Sequence, residues 1–500
     1  MLSNNSSLQL ARAKFQEIWG YEDFRSPQGE IVQSLLEGKD ALIILPTGGG
    51  KSICFQLPAL LQTGLTIVVS PLVALMENQV NQLQQLGLSG ALLHSELPRK
   101  ERKAILKAIA EQKLSLLYLS PETLLSPPVW SILIQPEIKI TGIILDEAHC
   151  LTQWGTTFRP AYRRLGAVRR SLLQHKPERT KIAMPSASFA IAAFTATANP
   201  TAQSEIIKAL ELQQPEKFIV SPYRQNLSLK IKTVWTPKGR KNAMLRFIQA
   251  HEQQSGLVYV RSRQDSQTLA AWFKSLGYSV AAYHAGLINT VRRQIEQDWI
   301  SGKAQFVICT SAFGMGIDKP NVRFVIHYHS PELLAEYIQE VGRAGRDGKP
   351  AKALTLISEP TGLLDPQDKQ RSQFFTQKLE QQYRDCQKLV KQLPQQGDIA
   401  TIKKQFPNAE IALGILHSLG VVHWQDPFHY RKRSSQVKID RLITSQKRDC
   451  QLMQNYLKTK HCRWKYLLYA FGFKQETQGF GCGTCDNCLS KKSTKKRLHL

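Results

Sequence analysis

No stretch of this 500-residue chain approaches the ~18 consecutive uncharged apolar residues that a membrane-spanning helix needs. The first residues, MLSNNSSLQLARAKF, also lack the charged-then-apolar order of a secretory leader. The expectation is a cytoplasmic protein with no membrane partner. Acidic residues are scarce: 39 Asp plus Glu face 66 Lys plus Arg, for a formal net charge of +27. The imbalance is concentrated in residues 361–500, with 25 Lys plus Arg against 11 Asp plus Glu. A polyanionic partner follows, with nucleic acid ahead of membrane because no basic amphipathic helix with a bulky apolar face stands out. Cysteine is sparse, and five of the nine (Cys54, Cys150, Cys309, Cys386, Cys450) show no spacing that suggests pairing. These five read as free thiols, most of them buried.

A glycine is also missing from the most informative stretch. Residues 40–52, DALIILPTGGGKS, resemble a strand running into a phosphate-binding loop, but Leu45 stands where the consensus G-x-x-x-x-G-K-[ST] has its first glycine. What remains is sufficient for the chemistry. Gly48, Gly49 and Gly50 let successive backbone N–H groups curl around phosphate oxygens, and the following helix points its positive end at the same anion. Lys51 would meet the β- and γ-phosphates and Ser52 a Mg²⁺ ion. A flexible glycine turn before an ordinary helix is the alternative. Residues 142–149, GIILDEAH, argue against it, because a second apolar strand ends in Asp146, suited to hold the metal, and Glu147, suited to polarise a water. The pair of motifs in this order predicts ATP hydrolysis.

Between residue 40 and about 220, short apolar runs (TIVVSP, ALLHS, LSLLYLSP, GIILDEAH, IAAFTATA) alternate with amphipathic segments, the pattern of a parallel sheet flanked by helices. A second alternating set occupies about 238–357 and has no phosphate loop. Instead QEVGRAGRDG, residues 339–348, places Arg343 and Arg346 one helical turn apart at a glycine-bounded helix end. Such a pair suits a γ-phosphate, although a basic solvated helix end is the common alternative. Five hundred residues exceed what one core organises, so the expected domains are 1–225, 226–360 and a basic region at 361–500.

The motifs FRSPQ, LPTGGGKS, SPLVALMENQV, SPE, DEAHCLTQWG, FTATA, YHAGL, AFGMGIDKPNVRFVIH and QEVGRAGRDG occur in an order that resembles the RecQ family of DNA helicases, within helicase superfamily 2. The resemblance covers residues 20–357 and resumes at 462–488. It implies an α/β fold of two RecA-like parallel-sheet lobes followed by a helical zinc-binding subdomain. It further implies that Gln28, with Phe24 and Arg25, reads adenine and that Lys51, Ser52, Asp146 and Glu147 serve ATP and Mg²⁺. Thr195 and Thr197 would link nucleotide state to lobe closure, Gly314 and Asp318 would line the cleft, and Arg346, backed by Arg343, would be an arginine finger. Residues 151–162, LTQWGTTFRPAY, interleave Trp154, Phe158 and Tyr162 with Arg159 directly after the acidic motif, where aromatics can stack on unpaired bases and an arginine can take a phosphate. Family members typically carry His-Asp where Thr156 and Thr157 stand and Glu at Ala161, a departure that bears on coupling.

Cys462, Cys482, Cys485 and Cys488 leave a long gap and then C-x-x-C-x-x-C, a spacing that lets four thiolates surround Zn²⁺. Four-cysteine ligation alone does not separate zinc from an iron–sulfur cluster. The resemblance favours structural zinc. Longer family members continue into a winged helix and a further helical domain, for which the twelve residues after Cys488 leave no room. Residues 396–436 read instead as helix, helix, strand, strand, either a winged-helix-like insert or a helical spacer. The expected activity is ATP-dependent unwinding of DNA, 3′ to 5′ by resemblance, in recombination and repair, by a monomer acting on single-stranded and forked DNA. An RNA helicase of the same superfamily, or an ATP-gated clamp or annealing factor, remain the alternatives.

Overall fold

The computed structural model describes residues 4–497 except 47, 153–158, 176–188, 315–316 and 438. Its contacts divide it into two units, residues 1–220 with 379–442 and residues 221–378 with 443–500. The stretch 361–500, expected as one region, is thus shared between them. The chain changes unit within two helices, Gln367–Gln392 and Ile439–Lys458.

The first unit is built on a seven-stranded sheet of β1 (Ala41–Ile44), β2 (Leu65–Val69), β3 (Gly90–Leu93), β4 (Leu116–Leu119), β5 (Ile140–Leu145), β6 (Ala190–Thr195) and β7 (Glu216–Ile219). All its pairings are parallel, in the order β3-β4-β2-β5-β6-β1-β7. Parallel strands need both faces covered, which is why β1 is a continuous apolar run rather than an alternating one. Leu42 and Ile44 enter one hydrophobic cluster, while Ala41 and Ile43 enter the other on the opposite face.

Residue 40 fixes where β1 begins. The buried Asp40 carboxylate accepts two hydrogen bonds from Arg169, at 2.7 and 2.8 Å, one from the Ile191 amide at 2.8 Å, and one from the Gln213 amide at 2.6 Å. It therefore ties the entry to β1 to β6 and to the segment before β7. Removing one partner of a buried ion pair strands the other, at a typical cost of about 3–5 kcal/mol. Asp40→Ala is expected to destabilise the first unit by that amount in denaturant melts, whereas a loss below about 0.5 kcal/mol, typical of a surface site, would show that the pair does not anchor the sheet.

The second unit repeats the plan with β8 (Leu227–Val234), β9 (Gly256–Tyr259), β10 (Val280–Tyr283), β11 (Phe306–Cys309), β12 (Phe324–His327) and β13 (Ala351–Ser358). These form an all-parallel sheet in the order β10-β11-β9-β12-β13-β8. Leu257 and Tyr259 pack on one face, and Val258 and Val260 on the other. Two parallel-sheet lobes of RecA-like form therefore carry the chain. The C-terminal helices Ile439–Lys458 and Arg463–Ala470 add Met453, Tyr456, Trp464 and Leu467 to the core of this second lobe.

A third, antiparallel sheet belongs to the first unit and comprises β14 (Gln396–Asp398), β15 (Val422–Trp424) and β16 (His429–Lys432), ordered β14-β16-β15. Helices Ile399–Gln405 and Ala409–Ser418 lie between β14 and β15 in sequence. Asp398 caps the first of them by accepting the Thr401 amide at 2.8 Å. Phe428, before β16, meets Trp130 edge to face at 5.3 Å, so the element is seated on the lobe by apolar contact.

Candidate nucleotide site and metal centre

Strand order explains how residues about 145 positions apart come together. In the first sheet β5, β6 and β1 are consecutive neighbours, so their carboxyl ends, where ligands bind in open α/β sheets, share one edge. The glycine loop leaves β1, Asp146 and Glu147 follow β5, and Thr195 ends β6.

Gly48 and Gly50 adopt φ of 84° and 71°, left-handed values that let the loop turn before helix Lys51–Leu61. A Cβ at Gly50 would lie 2.2 Å from Gln28 Nε2, so a larger residue there would displace the end of the Gln28 side chain, and the positive φ is what favours glycine. Gln28 is buried beside this loop. Its Nε2 donates to Gly49 O at 3.3 Å and its Oε1 accepts the Arg25 amide at 2.9 Å, while Phe24 stacks on Phe15 at 4.6 Å between centroids. The structure thus brings Phe24, Arg25, Gln28 and Gly48–Ser52 together in one place. Ser52 Oγ accepts Gln79 Nε2 at 3.0 Å, a partner sequence reasoning passed over although Gln79 lies within the motif SPLVALMENQV.

Both acids are buried. Burial, followed by the neighbouring Glu147 charge, raises the Asp146 pKa to about 6, and the Lys51 ammonium counteracts both. Glu147 sits in a left-handed turn at φ 51°, and its amide donates to Asp146 Oδ1 at 3.0 Å. Its carboxylate lies 3.1 Å from His149 Nδ1, which is also 3.2 Å from Thr195 Oγ1. Thr195 Oγ1 in turn accepts the Thr197 amide at 3.2 Å. His149 therefore connects Glu147 to the end of β6. No role was expected for it, and the available signal was its position two residues after the acidic pair.

Trp154, Thr156, Thr157 and Phe158 lie outside the described residues. Arg159 is described: its Nη2 donates to Pro71 O at 2.7 Å and its Nη1 approaches Glu122 at 3.4 Å, which fastens the exit of the aromatic segment to the loops after β2 and β4. Ala161 is buried in the 3-10 helix Pro160–Ala167, and Tyr162, expected among the stacking aromatics, is fully buried there and donates to Asp146 O at 3.0 Å, so it packs beneath the acidic pair and offers no face to a base.

In the second lobe, helix Leu334–Val341 stops before the two arginines, which lie in the turns that follow it. Both reach one segment nonetheless. Arg343 donates to Gly314 O, and Arg346 donates to Ile317 O at 3.1 Å and to Asp318 Oδ1 at 2.8 Å. Glu340, just upstream, binds Arg261 through two hydrogen bonds of 2.8 and 2.7 Å and lies 3.0 Å from His327. Its burial opposes the charge, but Arg261 and His327 outweigh that and hold its pKa down at about 2.

The Sγ atoms of Cys462, Cys482, Cys485 and Cys488 all lie within 4.8 Å of one another. Tetrahedral Zn–S bonds of about 2.3 Å need sulfurs roughly 3.8 Å apart, so the set fits zinc. Three amides point at these sulfurs, Cys482 N to Cys462 at 3.3 Å, Arg463 N to Cys485 at 3.4 Å and Cys485 N to Cys482 at 3.4 Å, as expected for thiolate ligands. His461, which its position beside Cys462 makes the nearest candidate for a substitute ligand, is not part of the cluster. Asp486 accepts the Ile231 amide of β8 at 2.9 Å and pairs with Arg463 at 2.9 Å, and Trp464 Nε1 donates to Leu227 O at 3.0 Å. The cysteine cage is thereby stitched to the edge of the second sheet. The other five cysteines are free, four of them buried.

Two parallel-sheet lobes, a glycine loop facing an acidic pair, and a four-cysteine cage define a nucleotide-hydrolysing helicase with a zinc module. Residues 25–206 match the DEAD/DEAH box helicase family, 239–348 the helicase conserved C-terminal domain and 430–489 the RecQ zinc-binding family. The chain is 50% identical over 490 residues to the ATP-dependent DNA helicase RecQ of Synechocystis, covering 98% of this chain and 99% of that one. It is 38% identical over 360 residues to the RecQ of Haemophilus influenzae, covering 72% of this chain but 55% of that one. Mss116p bound to ssRNA and AMP-PNP shares the fold at TM-score 0.57 and 16% identity, covering 85% of this chain and 91% of that one. Lhr of Mycobacterium smegmatis bound to ssDNA and AMP-PNP shares it at 0.54 and 22%, covering 70% and 48%. The chain belongs to the RecQ family of ATP-hydrolysing helicases. Among the described residues no helix is long and apolar enough to cross a membrane.

Proposed function

We propose that the protein is a cytoplasmic, DNA-associated motor that couples ATP hydrolysis to 3′-to-5′ movement along single-stranded DNA, and unwinds forked duplexes in recombination and repair. The observation that carries this reading is the convergence of the Gly48–Ser52 loop, Asp146, Glu147 and His149 on adjacent strand ends in a chain of this family. Lys51 holds the β- and γ-phosphates, and Ser52 and Asp146 would hold Mg²⁺, which supplies charge neutralisation at the phosphates when bound. The raised Asp146 pKa fits this role, since a buried carboxylate beside another acid is stabilised by a cation. Glu147 orients the attacking water, and His149 carries the state of Glu147 to Thr195 and Thr197. Gln28, with Phe24 and Arg25, recognises adenine. Trp154, Phe158 and Arg159 contact the strand. The element at 396–436 is winged-helix-like, since with the preceding helix Gln367–Gln392 its order is helix, strand, helix, helix, strand, strand with a small antiparallel sheet, that motif's outline.

Arg346 acts on the transferring phosphoryl group, and its ion pair with Asp318 holds it meanwhile. An arginine finger acts on transition-state charge, so Arg346→Ala should retain nucleotide affinity while turnover falls roughly 10³-fold or more. Lost affinity with normal residual turnover would remove the role.

ATP turnover measured in parallel without nucleic acid, with single-stranded DNA and with single-stranded RNA tests the whole reading, together with unwinding of a forked duplex. Stimulation by DNA and strand separation are expected. Stimulation by RNA alone would make it an RNA helicase, and DNA binding without unwinding would make it a clamp.

A further inference from the structure

The turn that carries Arg343 and Arg346 is tied to the second sheet through one side chain. Glu340 is the penultimate residue of helix Leu334–Val341, and its backbone carbonyl accepts the Arg343 amide at 3.3 Å, so it opens that turn. Its carboxylate, 5% exposed, reaches back to the ends of two adjacent strands. Arg261, two residues after β9, donates to its two oxygens at 2.8 and 2.7 Å. His327, the last residue of β12, lies 3.0 Å from one of those oxygens, and its other ring nitrogen is 3.0 Å from Thr355 Oγ1 on β13. Glu340 thus links the arginine turn to three consecutive strands, β9, β12 and β13.

Arg261 has a choice of partners, since Glu332 and Glu336 also act on its charge. Both of its hydrogen bonds to an acid nevertheless go to Glu340, the acid nearest the arginines, and two parallel bonds fix orientation as well as distance. Burial raises the Glu336 pKa to about 7 and moves Glu332 upward too, which makes both poorer partners for a cation. The far end of the turn is fixed at Gly345, whose amide donates to Val322 O and whose carbonyl accepts Asn226 Nδ2, each at 2.8 Å. Arg346 itself is held less firmly, by Ile317 O and by Asp318, whose side chain is 78% exposed, and its Nε is buried without a partner among the described residues. The direction of its guanidinium therefore depends on a backbone turn pinned at Glu340 and Gly345.

We propose that Glu340 and Arg261 are positioning residues for Arg346, holding its turn so that the guanidinium meets the transferring phosphoryl group in one orientation. This rests on the phosphoryl role of Arg346. In the full-length protein with saturating single-stranded DNA, Glu340→Gln should lower kcat for ATP about 10²-fold, the scale of a misplacement of about 1 Å, while KM stays within about twofold. Arg261→Lys keeps the charge but offers no fork, and should lower kcat about tenfold. Glu336→Gln, one helical turn earlier and outside the anchor, should change neither quantity. A double-mutant cycle separates positioning from a purely structural role. Glu340→Gln should weaken binding of ADP with aluminium fluoride, a mimic of the transferring group, and spare ADP, both read by displacement of a fluorescent ADP. In an Arg346→Ala background the same substitution should cause no further loss beyond about twofold. If Glu340→Gln does not fold, Arg261→Lys enters the cycle in its place. Equal proportional losses with and without Arg346, an unchanged kcat, or a loss seen only in KM would overturn the proposal. Failure of the arginine role itself would show separately, as normal turnover and normal mimic affinity in Arg346→Ala alone.

Discussion

Lys51→Ala is expected to lower ATP turnover by at least roughly 10²–10³-fold, the scale on which single preorganised charge-stabilising groups act. DNA affinity should stay within about twofold, because the variant removes none of the proposed phosphate contacts. The argument starts from where Lys51 sits. It is the first residue of helix Lys51–Leu61, entered from Gly50 in a left-handed turn, so its ammonium and the helix's positive end are directed by the same backbone. Its charge already acts on the opposite wall of the site, since it counteracts the burial and the Glu147 repulsion that push Asp146 upward. Removing it therefore has two effects in the same direction: the phosphates lose a cation, and Asp146 is driven further toward the neutral acid, which is a poorer metal ligand. Steady-state turnover with saturating single-stranded DNA, paired with anisotropy on the same variant, separates catalysis from binding. Turnover near the parent level would mean that the glycine loop is an ordinary helix entry.

Much of this site was readable before any coordinates because its parts are local. The Gly48–Ser52 loop, the Asp146–Glu147 strand end and the C-x-x-C-x-x-C run each announce their chemistry within a few residues, since backbone conformation and ligand spacing are short-range properties. The alternating apolar runs likewise foretold two parallel sheets, because strands covered on both faces must be apolar throughout. What could not be read is what strand order decides. Nothing near His149 in sequence indicates that β6 would lie between β5 and β1 and so bring Thr195 within 3.2 Å of it. Gln79 and Ser52 meet for the same reason, across 27 residues of chain. The division of 361–500 between two units was equally hidden, because a helix such as Gln367–Gln392 has the same amphipathic pattern whether or not the chain changes unit within it. The small sheet was half legible: β15 and β16 follow from VVHWQ and FHYRKR, but β14 is the sequence QGD, which holds no apolar or β-branched residue to mark a strand.

Cys485→Ser should have the largest effect on stability. Structural zinc contributes about 10–16 kcal/mol in small zinc peptides, where binding and folding are one event. Cys485 is completely buried, and its sulfur accepts the Arg463 amide, so a serine there presents a shorter, harder ligand to the metal and leaves that amide poorly matched. The consequence should stay within one unit. The cage is attached to β8 through Asp486, Ser228 and Trp464, whereas the glycine loop and acidic pair belong to the other unit. The expected result is a protein with less than one zinc per chain by elemental analysis, rapid cleavage within residues 443–500 by a dilute protease, and an emission shift as the buried Trp464 meets water. Melting of the first unit should be nearly unchanged. Chelation of the unsubstituted protein should reproduce this pattern, and readdition of zinc should reverse it, which the serine variant cannot do. If iron and labile sulfide were found instead, the cage would hold a cluster rather than zinc. If the variant remained metal-free, protease-resistant and unchanged in fluorescence, packing of Met453, Tyr456, Trp464 and Leu467 on the second sheet would be sufficient to fold this end, and the metal would be dispensable to it.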